Sequence, residues 1–118
     1  MKYMLLYAGD EHAEGIAVPE NPGAADEECA EPWLAGLASR QVRRLAGGRL
    51  LPTGTATTVR LGSDSVLLSD GPFAETKEQI LGFDVIECVS LDDALTAAAQ
   101  HPVAQLGGAV EVRPLLGP

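Results

Sequence analysis

The chain has 118 residues, which is enough for one hydrophobic core and leaves no room for a second domain. Hydrophobic residues make up 46% of it and charged residues 21%, a composition typical of folded globular proteins. Seventeen acidic and eight basic residues give a formal net charge of −9, which repels nucleic-acid phosphates and anionic membrane surfaces. We therefore expect a single domain over residues 1–118 that binds neither nucleic acid nor a membrane.

We expect neither a targeting signal nor a membrane-spanning segment. After Lys2 the apolar run reaches only Ala8, which is too short for a signal-peptide core or a membrane span. Cys29 and Cys88 form no Cys-x-x-Cys pair and have no histidine at metal-ligand spacing, so both are predicted to be buried thiols. These features predict a cytoplasmic protein without a metal site.

The first half of the chain predicts a strand, a loop and a helix. Residues 2–8 (KYMLLYA) are apolar on both alternating sets, as in a central strand. Residues 9–25 are acidic, contain Gly and Pro and follow no period, which indicates a surface loop. Residues 29–45 place apolar side chains on one helical face, with acids at the start and arginines at the end. Gly47 and Gly48 are expected to end this helix.

Four further segments have strand character. Residues 55–61 and 65–69 are β-prone and joined by a compact turn, so they predict a hairpin. Residues 80–89 (ILGFDVIECV) predict the next strand, and residues 109–113 alternate as in an edge strand. Between these two lies a second helix, which Ser90 caps and which ends before Pro102.

This order predicts an α+β fold. It is read either as β-α-β-β-β-α-β or, if the hairpin closes as a meander, as a ferredoxin-like sheet with its helices on one face. The strands at residues 2–8 and 80–89 are apolar on both faces, and two helices cover only one face. We therefore expect a homodimer that buries the second face against an identical chain.

One long segment also resembles a known family. Residues 70–87 (DGPFAETKEQILGFDVIE) are similar to the signature of YCII-related proteins of the DGPF group, and the similarity extends to MKYMLLYAGD, TATTVR, SLDDAL, HPVA and VEVRP. The resemblance implies a ferredoxin-like β-α-β-β-α-β domain with an antiparallel sheet that forms a dimeric α+β barrel. Some members are linked to extracytoplasmic-function sigma factors, and a relative in aromatic degradation removes chloride from a hydroxylated ring. The broader group is often described with a histidine on the first helix, and this chain has none there.

His101 and Asp70 are the candidate catalytic residues. His101 is predicted at the end of the second helix, where the helix dipole favours the imidazolium form. There it either shuttles a proton in a cleft or donates to the last carbonyls of the helix as a C-cap. Asp70 opens a Gly-Pro turn, where it either accepts hydrogen bonds from its own loop or faces the cavity as a general base or as the orienter of His101.

Four side chains are candidates for substrate binding. Tyr7 combines an apolar ring with a hydroxyl tip, which suits a small-molecule pocket as well as a core position. Arg60 or Lys77 is predicted either to hold an anionic carboxylate or phenolate or to form an ordinary ion pair. Glu78 lies in a segment too polar for the core, so it is either solvated or placed at the mouth of the cleft.

The usual cofactor and hydrolase motifs are absent from the sequence, so no cofactor is predicted. The first functional hypothesis is a cofactor-independent site, where His101 and Asp70 perform acid–base chemistry on a small polar or aromatic ligand. The alternatives are a non-catalytic binding or regulatory module that recognises a metabolite or a transcription-associated protein, and a purely structural dimer.

Overall fold

A computed structural model of the chain describes residues 1–12, 26–74 and 77–117, with the backbone only for residues 26–31. In chain order the elements are β1 (Lys2–Gly9), α1 (Asp26–Ser39), β2 (Arg43–Arg49), a 3₁₀ turn (Thr53–Thr55), β3 (Thr57–Leu61), β4 (Val66–Asp70), β5 (Gln79–Glu87), α2 (Leu91–Ala99), α3 (Pro102–Gln105) and β6 (Ala109–Pro114). None of these described helices is long and apolar enough to cross a membrane. Most of the predicted acidic loop, residues 13–25, lies outside the described residues.

Four strands form one antiparallel sheet in the order β2-β5-β1-β6. β1 is central and β6 lies at an edge, as predicted from their apolar patterns. With α1 after the first sheet strand and α2 and α3 before the last, the sheet strands and helices follow the β-α-β-β-α-β order of a ferredoxin-like fold. The predicted α+β class is confirmed, and the hairpin β3-β4 is an insertion between β2 and β5.

The core lies between one face of this sheet and the helices. Alternation along β1 buries Tyr3, Leu5 and Tyr7 on that face, while the residues between them are half-buried. Helices α1 and α2 cover this face of the sheet. The buried core residues include Trp33, Leu37, Ile86, Ala94, Ala97 and Ala98. Cys88 is buried as predicted, whereas the side chain of Cys29 is outside the described part of the chain.

The first helix ends earlier than its predicted limit at residue 45. It stops at Ser39, and Gln41 takes a left-handed conformation with φ of 59°. Val42 N–H then donates to the Leu37 carbonyl at 3.0 Å, and Gln41 N–H donates to the Ala38 carbonyl at 3.2 Å. These two bonds form a Schellman C-cap, in which Gln replaces the usual Gly. The end of the helix was missed because the position that turns the chain carries no glycine.

Residues beyond this cap form β2 rather than more helix. Pairing with β5 satisfies the backbone groups on one side of this edge strand, and Gly47 and Gly48, predicted to end the helix, lie inside it. The apolar residues Val42 and Leu45 fit a helical period by chance, and Val42 instead packs in the core. The predicted helix was therefore wrong over residues 40–45.

The second helix begins and ends as predicted. Ser90 Oγ accepts a hydrogen bond from Asp93 N–H at 3.3 Å, and the helix ends at Ala99, before Pro102. A short helix that was not predicted, α3, follows immediately with Pro102 as its first residue. His101 therefore lies between two helices and precedes the second of them.

The hairpin β3-β4 forms a separate two-stranded sheet. Cross-strand pairs Val59/Leu68 and Leu61/Val66 share one face, and all four side chains are exposed, Leu61 by 81%. The predicted hairpin is present, and it contributes little to the core described above.

Candidate functional site

A buried carboxylate lies on the helix-covered face of the sheet. Tyr7 Oη donates to Asp84 Oδ2 at 2.6 Å, and Arg44 Nε donates to Asp84 Oδ1 at 2.6 Å. In the ladder Asp84 is opposite Leu5, which is two residues from Tyr7 on the same face of β1, so strand register brings the side chains of Tyr7 and Asp84 together. Asp84 is 6% exposed and Tyr7 is 5% exposed. Both carboxylate oxygens therefore have a donor, which buried charge requires.

A glycine opposite Asp84 makes room for its side chain. Gly47 in β2 is opposite Asp84, and a β-carbon at that position would overlap the carboxylate. Gly82 in β5 has Gly48 O only 2.8 Å from the place of its missing β-carbon. The space at Gly47 lets the carboxylate reach Arg44, whose side chain is 38% exposed, whereas the missing β-carbon at Gly82 lets the β2 backbone approach β5 closely.

His101 completes the cluster from the helix side. Its ring stacks on Tyr7 with centroids 3.8 Å apart and planes at 14°, and Trp33 contacts it edge-on at 4.7 Å. His101 is also the N-cap of α3, where its Nδ1 accepts a hydrogen bond from Val103 N–H at 3.1 Å. The imidazole is 8% exposed and held by two rings and one backbone donor.

The surroundings keep both ring residues uncharged at neutral pH. Burial lowers the pKa of His101 to about 4; the Asp84 charge acts against this shift and the Arg49 charge adds to it. Burial also raises the pKa of the Tyr7 hydroxyl, in the same direction as its hydrogen bond to Asp84 and the charge of that carboxylate. The site therefore presents a protonated phenol and a neutral imidazole.

This state of His101 differs from the one expected from the sequence. We expected a histidine at the end of a helix, either donating to carbonyls or held as a cation. His101 instead accepts a hydrogen bond at the start of the next helix, and burial disfavours its cation. The difference arises because Pro102 starts α3, which turns the position from the end of one helix into the cap of another.

Two of the predicted site residues, Tyr7 and His101, are in contact with each other. Asp70 lies on the hairpin instead, and no described contact joins it to them. Asp70 is the exposed last residue of β4 and pairs with Thr57 across the hairpin. Within the described residues, no hydrogen bond or ring contact joins Asp70 to His101. The carboxylate next to the two rings belongs to Asp84.

The other predicted binding residues are exposed. Arg60 lies on β3, and Lys77 and Glu78 lie just before β5. Near the same hairpin, a depression of about 380 Å³ is lined by residues that include Glu11, Thr53 and the Gly-Pro turn after Asp70.

The carboxylate of Glu11 links two residues that line this depression. Glu11 accepts hydrogen bonds from Thr53 N–H at 3.0 Å and from Thr53 Oγ1 at 2.6 Å. The two bonds lower the pKa of Glu11. A second polar surface therefore lies beside the hairpin. None of the contacts described for it involves the cluster of Tyr7, Asp84 and His101.

Sequence reasoning missed Asp84 and Arg44. A single acid inside the apolar strand ILGFDVIECV was the available signal for Asp84, because carboxylates are almost never fully buried unless paired. Arg44 was assigned to the end of the first helix, and only the early helix end places it on β2 beside Asp84. In the described ranges no three His, Cys, Asp or Glu side chains are grouped to hold a metal ion.

Comparison with known proteins gives the family. An uncharacterised protein of Rhizobium meliloti (strain 1021) is 52% identical over 68 residues, which are 57% of this chain and 55% of that protein. The matched segment thus spans little more than half of the relative's length. The family model of the YCII-related domain matches residues 1–116. Because this match covers nearly all of the chain, the protein belongs to the YCII-related domain family.

Proposed function

We propose that the protein is a homodimer that binds a small polar or aromatic compound beside Tyr7, Asp84 and His101. The observation that carries the proposal is the burial of three ionisable side chains in one cluster, each less than 10% exposed. Burying polar groups costs free energy that hydrocarbon side chains would avoid, and such clusters are concentrated at functional sites. The half-exposed Arg44 provides a charged edge at which a ligand can reach the cluster.

The aromatic rings suit a flat or apolar ligand body. Tyr7, Trp33 and His101 are mutually packed at ring distances of 6.4 Å or less. Rings of this kind, together with a few placed polar groups, are typical of small-molecule sites. Tyr7 and His101 thus remain candidate site residues in this proposal, and Asp84 joins Asp70 as a candidate for the carboxylate.

Cofactor-independent acid–base catalysis at the same cluster is the second candidate function. It is favoured by the 2.6 Å hydrogen bond between Tyr7 and Asp84, which is short enough for a proton to be relayed through the phenol. In the regulatory alternative the protein binds the same compound but does not convert it to a product.

The homodimer is supported by the open face of the sheet. Met4, Leu6, Phe83 and Val85 form two cross-strand pairs at its centre, and all four are only half-buried in the single chain. Around them lie charges of both signs at Lys2, Arg43, Glu87, Glu111 and Arg113. An apolar centre with a charged rim is typical of protein interfaces, which bury about 800 Å² per partner. Pairing two such faces would give the predicted dimeric barrel.

The test is a thermal-shift screen of small aromatic acids and phenols with matched carboxylate variants. Asp84→Asn retains the shape of the side chain and removes its charge, and Asp70→Asn does the same on the hairpin. A ligand at about one hundred times its Kd should stabilise the wild type by about 2.7 kcal/mol. We expect this stabilisation to be reduced in Asp84→Asn and retained in Asp70→Asn.

Circular dichroism of both variants confirms that they fold before ligands are compared. Equal stabilisation of the wild type and Asp84→Asn would remove Asp84 from the site. If only Asp70→Asn loses the stabilisation by ligand, the binding site lies at the hairpin and not at Asp84. Incubation of any bound compound with the protein, followed by product analysis, separates catalysis from sensing.

A further inference from the structure

The hairpin β3-β4 has one apolar face and one mostly polar face. Cross-strand partners lie on the same side of a strand pair, so the ladder assigns each side chain to a face. One face carries two apolar pairs, Val59/Leu68 and Leu61/Val66. The opposite face carries Thr58, Ser69, Arg60 and Leu67. This alternation is typical of strands that cover an apolar surface with one side and meet water with the other.

Within the described residues the apolar face of the hairpin remains uncovered. Its four side chains are 58–81% exposed, and the two strands contact mainly each other. An isolated two-stranded hairpin is only marginally stable in water and needs a surface to pack on. The described part of this chain does not supply that surface.

The hairpin is anchored at its base. Gly71 N–H donates to the Ala56 carbonyl at 2.7 Å, and Thr58 Oγ1 donates to the Gly71 carbonyl at 2.7 Å. The described chain measures 51 × 36 × 23 Å. Its radius of gyration is 15.8 Å, against about 13.5 Å for a compact domain of this length. These values fit an arm that is fixed at its base and extends from the domain.

The apolar surface of the open sheet face continues along the chain towards this arm. The central pairs of that face are followed by the pair Ala8/Ile80 at the start of β5. Ile80 is 45% exposed, and Phe73, in the segment that joins β4 to β5, is 80% exposed. Exposed apolar side chains therefore occur on the sheet, in the connection and on the hairpin.

The sheet face alone is small for a dimer interface. A standard interface buries about 800 Å² per partner, of which about 60%, roughly 480 Å², is apolar. A large apolar side chain has about 60–120 Å² of apolar area, the area that corresponds to its usual burial energy. The five partly buried side chains of the sheet face thus offer no more than about 300 Å²; they are Met4, Leu6, Ile80, Phe83 and Val85. At their exposures of 58–81%, the four hairpin side chains add about 160–320 Å², which makes up the difference.

We propose that the hairpin is a dimerisation arm, whose apolar face packs against the other subunit of the dimer. This inference rests on the homodimer of the proposed function and adds a second contact surface to it. In the β3-β4 ladder, Asp70 at the base is the one charged residue on this face. Two chains that each carry a net charge of −9 can therefore meet there without bringing many like charges together.

Two neighbouring substitutions test the arm by analytical ultracentrifugation over a dilution series. Leu68→Glu places a charge on the apolar face, and Ser69→Glu places the same charge one residue further on, on the opposite face. Both positions are exposed, and circular dichroism checks that both variants fold. We expect the dimer Kd to rise at least about tenfold in Leu68→Glu and to change less than about threefold in Ser69→Glu.

The other outcomes separate the arm from the dimer itself. Equal Kd values in all three proteins, or equal weakening by both variants, would overturn the arm and leave the sheet-face dimer intact. A wild-type tetramer that Leu68→Glu splits into dimers would also overturn it, because the hairpin would then join one dimer to another. A monomeric wild type would overturn both the arm and the proposed homodimer.

Hydrogen exchange reports directly on whether the partner covers the hairpin. Val85→Glu places a charge at the centre of the open sheet face and should give monomers. The amides of residues 57–70 should exchange at least about tenfold faster in these monomers than in the wild-type dimer. The amides of α2, which lies on the other face of the sheet, should exchange equally in both and provide the internal reference. Equal exchange of the hairpin in dimer and monomer would contradict the arm.

Discussion

The carboxylate of Asp84 occupies the space that a β-carbon at Gly47 would need. The two residues are directly opposite in the β2–β5 ladder, and the Arg44 guanidinium lies over the same spot. Gly47→Ala should therefore displace the buried ion pair and destabilise the fold by about 1–3 kcal/mol, the usual cost of overpacking. Urea denaturation measures the change in the free energy of unfolding.

The neighbouring glycine provides the control for this substitution. A β-carbon at Gly48 would meet nothing within 4 Å, so Gly48→Ala should change stability little. If Gly47→Ala and Gly48→Ala lower the free energy of unfolding equally, the backbone of β2, and not the Asp84 side chain, requires glycine at position 47.

Removing the Tyr7 hydroxyl should cost more than removing the Tyr3 hydroxyl. Tyr7 donates to a buried carboxylate at 2.6 Å, whereas Tyr3 donates to Met1 Sδ, a weak acceptor, at 3.4 Å. We expect Tyr7→Phe to lower the free energy of unfolding by about 1.5–3 kcal/mol, as for hydrogen bonds to charged groups. Both tyrosines are buried, so Tyr3→Phe controls for the lost oxygen. Similar costs in chemical denaturation would contradict a special role for the bond to Asp84.

The stability of the protein should fall as the pH decreases from about 6.5 to about 4. Burial lowers the pKa of folded His101 to about 4 from an ordinary value of 6.5. Between these values the unfolded chain binds a proton that the folded chain does not, so acid favours unfolding. The contribution is complete above pH 6.5 and amounts to about 3 kcal/mol lost by pH 4.

Comparison with His101→Asn isolates this titration, since the variant keeps an N-cap and has no imidazole. Other groups, such as Glu11 with its lowered pKa, titrate in both proteins and cancel in the difference. Parallel stability curves for the two proteins between pH 7 and 4 would show that His101 titrates normally.

The open sheet face should hold two chains together in solution. Light scattering is expected to give a mass of twice the 12.3 kDa chain. Val85→Glu places a charge at the centre of that face, opposite Met4, and should produce monomers. Leu95→Glu adds the same charge at an exposed position on α2 and should leave the dimer intact. A wild-type mass near that of one chain would refute the dimer.

Local pattern was enough to predict most elements and the fold class. The two-faced apolar run at residues 2–8 indicated the central strand, and Ser90 with Asp93 marked the start of α2. The end of α1 was not predictable in this way, because Gln41 adopts a backbone conformation that the sequence usually signals with glycine. That single turn decided whether residues 43–45 continued the helix or began strand β2.

The candidate site shows the same division. Tyr7 and His101 were predicted as site residues from their chemistry, since few side chains in this chain combine a ring with a polar atom. Their partner was not predictable, because Asp84 is 77 residues from Tyr7 in the chain and meets it only through strand register. The sequence by itself thus determined the elements, the apolar faces and the reactive residue types, all of which follow from local spacing. Only the tertiary structure decided which carboxylate lies beside the rings and how His101 is protonated, because long-range pairing and burial set both.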